Sequence, residues 1–274
     1  MVASAPASHK SRELLLRLLS AAVLIPFALF VVSQGGTALG LSCALFAAVM
    51  GYEWARMTAS PNMPLAAVFS ALPAIAATFS GFELAALVLL ICGAVVGALH
   101  PSSVSDKVGA AFGLFYSAGL PLALFLLRDG DWNGQAAALI LMGTVWASDS
   151  GAYFAGKGFG GPPLSPKDSP SKTWSGALGA VLCSALCGLI AAGILDTERV
   201  PWLFAGIAIS VSAQWGDLFE SSLKRRFGVK DTSGFLPGHG GVMDRVDGLG
   251  MACVVGLVVL TVFEPLPGLL GLDG

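Results

Sequence analysis

The stretch 173–195 reads TWSGALGAVLCSALCGLIAAGIL and contains no acidic, basic or histidine side chain. A bilayer's hydrocarbon core is about 30 Å thick, and a helix crosses it with about 20 residues. This run is long enough to span, and it leaves no polar face for water. Similar runs recur on both sides. Towards the C-terminus they fall at 200–222 and 244–264; towards the N-terminus at 134–155, 108–128, 82–99, 64–80, 36–57 and 13–33. The fold class expected is all-α, a polytopic transmembrane bundle of about nine helices. The third segment is the most ambiguous, because Pro64 and Pro73 bracket a short run that would suit a re-entrant segment equally well.

Composition agrees. Of the 274 residues, 55% are hydrophobic and 12% charged, against about 25% charged in a soluble domain; the mean hydropathy is +0.78. A soluble domain of useful size is excluded and no nucleic-acid partner is expected; the net charge of −2 says little, and the asymmetry of charge across the membrane says more. Basic residues orient the bundle, since short cytoplasmic loops carry excess Lys and Arg. Nine crossings with the N-terminus inside place Lys10, Arg12, Arg17, Arg56, Lys107, Lys157, Lys167, Lys172, Lys224, Arg225, Arg226, Lys230 and Arg245 on the cytoplasmic side, and only Arg128 and Arg199 outside. Dropping one crossing would scatter these charges over both faces. The first segment has the basic flank of a signal peptide, but its apolar run is too long, so it reads as an uncleaved helix. All five cysteines lie in apolar segments. Cys183 and Cys187 read as small core residues on one helix face, with no disulfide framework implied.

The chain divides into 1–130, with spans one to five and short connections, and 131–274, with spans six to nine. The second part carries two long polar loops, 156–172 and 223–243, rich in Gly, Pro, Ser and Lys. Such backbones can approach phosphates closely, although basic loops also serve topology alone. No inverted internal repeat is visible, which counts against a secondary transporter.

A charge inside a spanning helix costs about 2.5–3.5 kcal/mol on insertion scales, so intramembrane carboxylates read as functional. Asp149, Asp217, Asp244 and Asp247 each lie at the cytoplasmic end of a predicted span. Glu220 is similar but less informative, and Glu53, beside Trp54 and Arg56, reads as an interfacial ion pair. In the eighth span Asp217, Ser221 and Lys224 share one face, with Arg225 one step around. In the ninth, Asp244 and Asp247 share a face, with Gly248 leaving room. Two readings stand. Two acidic faces meeting at one cavity would suit a divalent cation that takes its other ligands from phosphates. Alternatively, these carboxylates form structural ion pairs with Lys224 and Arg245. The loop between the two spans favours the first, because it adds Lys224, Arg225, Arg226, Lys230, several glycines and His239, set between Gly238 and Gly240. His239 suits either a hydrogen-bonded loop anchor or acid-base work.

The run 221–247 resembles the signature of the phosphatidate cytidylyltransferases, the integral-membrane CDP-diacylglycerol synthases. Ser221, Leu223, Lys224-Arg225, Lys230-Asp231, Ser233, the stretch Leu-Pro-Gly-His-Gly-Gly over 236–241, and Asp244-Arg245-Val246-Asp247 satisfy it without a gap. Asp149-Ser150-Gly151-Ala152-Tyr153-Phe154-Ala155-Gly156-Lys157 and Ser169-Pro170-Ser171-Lys172-Thr173-Trp174 are similar to two further family stretches. Together they cover the C-terminal half. Ser150, Ser171 and Ser175 depart from the family pattern, and the loop 158–165 lacks its basic residues, which bears on single phosphate contacts in the first loop.

The resemblance implies cytidylyl transfer from CTP to phosphatidate, giving CDP-diacylglycerol and pyrophosphate, with Mg²⁺ and room for a second, monovalent cation such as K⁺. On that basis Asp217 and Asp244 would hold the metal, with Asp247 completing its shell. Lys224, Arg225, Lys230 and Arg245 would neutralise phosphates, and Gly240 and Gly241 beside His239 would offer backbone N–H groups as a nest, since no Walker motif occurs. Ser221 belongs to the same face, and Asp149 and Lys172 would line the cavity from the other side. The bilayer would hold the acyl chains while CTP arrives from the cytoplasm, so the expected setting is a bacterial inner membrane; a homodimer is a family-level expectation. The rival readings are a CTP-dependent polyprenol or lipid kinase and a secondary transporter. A CDP-alcohol phosphotransferase is disfavoured because its Asp-Gly-x-x-Ala-Arg pattern is absent.

Overall fold

The structure, a computed structural model, describes residues 7–100, 103–130, 133–236, 240–262, 268 and 270–272. Its helices are α1 Ala7–Gln34, α2 Gly36–Met57, α3 Met63–Ser80, α4 Phe82–Leu99, α5 Val104–Arg128, α6 Gly134–Phe159, α7 Trp174–Leu195, α8 Arg199–Arg226 and α9 Met243–Val262. Each expected span falls on one helix over its described residues; positions 263 and 264 of the ninth lie outside them. The chemistry at the ends explains several boundaries. Ser103 and Asp106 form a reciprocal capping box at α5, Thr173 accepts from the Gly176 N–H at the start of α7, and Gly160, at φ 62°, stops α6.

Among the described residues, six helices are long and apolar enough to cross a membrane: α2, α3, α4, α7, α9 and the stretch Asp106–Arg128 of α5. The ambiguous third segment is among them, because Pro64 sits in the first turn of α3, where no backbone N–H is needed. Helices α6 and α8 have spanning length, at 26 and 28 residues, but carry Asp149 and Lys157, and Gln214, Asp217 and Glu220 respectively. Those polar side chains belong to the site.

The run 173–195 packs in the inverse sense of a soluble helix. Leu178, Leu182, Leu186, Ile190 and Ile194 of α7 are exposed in one stripe, while Gly176, Ala180, Ser184, Gly188, Ala191 and Ala192 are buried. Lipid accepts large apolar side chains as readily as protein does, so small residues are reserved for the contacts between helices. A Cβ on Gly188 would stand 2.0 Å from the Trp202 carbonyl of α8, and one on Gly206 would stand 2.2 Å from that of Ser184 on α7. Gly188→Ala should therefore force α7 from α8 and destabilise the fold by about 1–3 kcal/mol; a melting temperature equal to wild type in detergent would refute this backbone contact.

Helices α6, α7, α8 and α9 pack around one another, α2, α3, α4 and α5 form a second group, and α5 joins the two through α9. A buried cluster of Met50, Trp54, Tyr116, Leu120, Val242 and Met243 crosses the boundary at 130. The loop after α6 forms a short antiparallel hairpin that the sequence reading did not anticipate, β1 Pro163–Ser165 with β2 Ser169–Thr173. The Ser165 hydroxyl donates to Asp168 in its turn, and Arg225 donates to the Asp168 carbonyl at 3.3 Å. That contact brings both long loops to the same end of the bundle. All five cysteines are free, and Cys183 lies where a Cβ on Gly151 of α6 would meet it.

Candidate active site

At that end, α6, the hairpin, α7, α8 and α9 surround a cavity of about 960 Å³. Its wall includes Asp149, Lys172, Asp217, Lys224, Arg245 and Asp247, residues from four separate segments of the sequence. Asp217 pairs with Lys172, across from β2, and 43% of its side chain remains exposed to the cavity. Asp247 is almost fully buried, one carboxylate oxygen accepting the Gly248 N–H at 2.8 Å. A Cβ at Gly216 would collide with the Asp247 carbonyl at 2.7 Å, so α8 and α9 touch backbone to backbone beside Asp217.

Lys224 stands between two carboxylates, at 2.7 Å from Asp244 and 3.1 Å from Glu220. It lies just beyond the predicted span 200–222. Burial works against its charge, but Glu220 and Asp244 outweigh that cost and hold the ammonium's pKa above the ordinary lysine value. Glu220 is wholly buried and also accepts from the Tyr116 hydroxyl at 3.4 Å.

Asp244 is occupied more fully than the sequence implied. While one oxygen takes Lys224, the other accepts the Gly241 N–H at 2.8 Å, the Thr232 N–H at 3.0 Å and the Thr232 hydroxyl at 3.1 Å. The ion pair with Lys224 is thus present. A carboxylate satisfied in this way ties Thr232 and Gly241 to the first turn of α9. The Gly241 N–H, read as part of a phosphate nest, is spent on Asp244. Gly240, at φ 84°, supplies the left-handed turn beside it.

Ser221, Arg225, Lys230, Gly240 and Gly241 do not line the cavity. Arg225 reaches the carbonyls of Asp168 and Val229, which ties the two loops together. Asp231 faces the cavity next to Lys230. His239 lies outside the described residues.

Sequence reasoning missed other members. Gln214, one turn before Asp217 on α8, lines the cavity and donates to Ser210 at 3.0 Å; a polar amide inside an apolar run was the available signal. Lys157 and Tyr153 also line it, with the ammonium 3.2 Å from the phenol oxygen. The largest correction concerns Glu53. Rather than pairing at an interface, it is completely buried and faces the signature loop.

Among the described residues, no three His, Cys, Asp or Glu side chains are placed to hold a metal by themselves. The donor set suits an ion that takes one or two carboxylate oxygens from protein and the rest from phosphates and water, as Mg²⁺ does. With Asp244 filled by other donors, Asp217 and Asp247, on the adjoining helices α8 and α9, are two carboxylates of the cavity wall that would fit such a role, and Asp149 lines the same cavity.

A membrane helical bundle with a charged cavity at the end of its helices is the class these features define. The cytidylyltransferase family model matches residues 15–263, and the chain belongs to that family. It is 35% identical over 246 residues to the phosphatidate cytidylyltransferase of Brucella suis biovar 1, covering 87% of this chain and 90% of the relative. It is 40% identical over 172 residues to that of Mycobacterium tuberculosis (strain ATCC 25618 / H37Rv), covering 60% of this chain and 51% of the relative. The Thermotoga maritima phosphatidate cytidylyltransferase is 36% identical over 188 residues, covering 65% and 69%.

Proposed function

We propose that this protein transfers the cytidylyl group of CTP to phosphatidate, giving CDP-diacylglycerol and pyrophosphate. The observation that carries this reading is the cavity in which Lys172, Lys224 and Arg245 stand with Asp149, Asp217 and Asp247. A phosphate oxygen of the lipid attacks the α-phosphorus of CTP. The new bond is P–O–P between lipid and cytidylate, and the bond that breaks links the α- and β-phosphates, with pyrophosphate leaving. The nucleophile is already ionised at neutral pH, so the barrier is repulsion between two anions. Lys172, Lys224 and Arg245 counter it. Asp217 orients Lys172, and Glu220 with Asp244 orient Lys224, which keeps each ammonium in place before substrate arrives. Bound Mg²⁺, held by Asp217 and Asp247, would supply further charge neutralisation between the reacting phosphates.

The basic residues Lys157, Lys167, Lys172, Lys224, Arg225, Arg226 and Lys230 all belong to the end where the cavity opens. By the positive-inside bias that end faces the cytoplasm, the source of CTP. The acyl chains stay among the helices and lipid.

The test is pyrophosphate release by the detergent-purified protein given CTP, phosphatidate and Mg²⁺. Release should require both substrates and Mg²⁺, and addition of K⁺ tests a second cation. Formation of CDP instead of pyrophosphate would convert the reading to a lipid kinase. No nucleotide turnover from folded protein would refute both enzymes and favour a transporter.

A further inference from the structure

Glu53 lies on α2, in the half of the chain that supplies no residue to the cavity, yet it is 0% exposed and directed at the signature loop. One of its oxygens accepts the Val242 N–H at 2.9 Å and the Ser233 hydroxyl. The other accepts the Met243 N–H at 2.8 Å and faces the Thr232 hydroxyl at 3.4 Å. A carboxylate has about four lone-pair sites; here three are met by the Ser233 hydroxyl and the Val242 and Met243 N–H groups, while the Thr232 hydroxyl, whose single proton can serve either Glu53 or Asp244, stands beside the fourth. Met243 begins α9, so the carboxylate also sits at the positive end of that helix.

The fit is close. A Cβ at Gly241 would lie 2.6 Å from a Glu53 oxygen and 2.0 Å from the Thr232 hydroxyl oxygen, so the glycine at this point admits the carboxylate rather than a ligand. The Thr232 hydroxyl stands between Glu53 and Asp244, 3.1 Å from the latter. Asp244 in turn holds Lys224. A continuous chain of polar contacts therefore runs from α2 through the loop to a cavity cation.

We propose that Glu53 is a positioning residue for the transfer reaction. By clamping residues 232, 233, 242 and 243 it sets where α9 begins, and so where Asp244, Arg245 and Asp247 stand relative to Lys224 and Asp217. The proposal rests on the reaction proposed above. It makes the N-terminal helices part of the catalytic apparatus without placing any of their side chains on substrate.

The test compares wild type, Glu53→Gln, Thr232→Val and the double variant in detergent. It measures pyrophosphate release per folded molecule and, without substrates, the rate of tryptic cleavage after Lys230. Glutamine keeps the shape but turns an amide donor towards the Val242 or Met243 N–H. The expected result is a loss of turnover in Glu53→Gln of about 10- to 100-fold, the range found when outer partners of a site are removed, with faster cleavage after Lys230. Thr232→Val should lose less, and the double variant no more than Glu53→Gln alone, because both substitutions break one link. Should Glu53→Gln fold poorly, Ser233→Ala removes a single donor and should shift both readouts the same way by less. Wild-type turnover per folded molecule in Glu53→Gln would overturn the proposal. If the wild type itself releases no pyrophosphate, the proposed reaction fails separately, and an unchanged cleavage rate would then overturn the anchor.

Discussion

Lys224→Met should give a protein with no measurable pyrophosphate release and with greatly reduced stability. The ammonium it removes is the shared partner of Glu220 and Asp244. Methionine fills the same space but leaves two buried carboxylates facing each other with no cation. Breaking a buried ion pair from one side costs about 3–5 kcal/mol, and here one cation serves two anions. The variant should also lose its hold on the loop, since Asp244 is the point at which Thr232 and Gly241 converge. Thermal unfolding in detergent and the release assay measure the two effects separately. If Lys224→Met melted like wild type, the buried pairing would be refuted; if it kept wild-type turnover, Lys224 would have no place in the reaction. Lys224→Arg keeps the charge but not the compact ammonium, so it should recover stability better than turnover.

Asp217→Asn is expected to act in the opposite proportion. Asp217 is paired with Lys172, and much of its side chain is open to the cavity, so water can solvate what the substitution leaves behind. Stability should change little. Turnover should fall by about 100- to 1,000-fold, the range for removing one electrostatic contact to a reacting centre. Both candidate roles, orienting Lys172 and holding Mg²⁺, would be lost together. Repeating the assay over a range of Mg²⁺ separates them: a metal role raises the Mg²⁺ needed for half-maximal rate, whereas a purely orienting role lowers the maximum and leaves that requirement unchanged. Full activity in Asp217→Asn would eliminate both.

The contrast between these two aspartates could not be read from the sequence. Asp217 and Asp244 were equal there, each an acidic residue at the end of an apolar run. In the fold both line the cavity, but Asp217 keeps much of its side chain exposed there, while Asp244 is saturated by Lys224, Thr232 and Gly241. The same holds for Gly241, whose place in a glycine-rich loop suggested phosphate binding. Its N–H instead serves Asp244, and its missing Cβ makes room for Glu53 and Thr232. Glu53 illustrates the limit most clearly, since its nearest sequence neighbours, Trp54 and Arg56, pointed to an interfacial pair, and its actual partner Met243 is 190 positions away.

Hydropathy and local periodicity by themselves determined the helical bundle, the positions of its helices, the two long loops and the set of charged residues available for chemistry. These are properties of short segments: a run without charges must become a helix in lipid, because no water is there to satisfy its backbone. The tertiary structure alone decided which carboxylates meet which cations, that Arg225 ties loops together outside the cavity, that α6 runs on to Phe159 and the segment after it folds into a hairpin over 163–173, and that α2 contributes an anchor to the site. Those outcomes depend on how helices pack across glycine contacts such as Gly188 with Trp202 and Gly216 with Asp247. Backbone separation and rotation at such contacts decide which polar groups come within hydrogen-bonding reach, and neither quantity is written in the spacing of residues along a single helix.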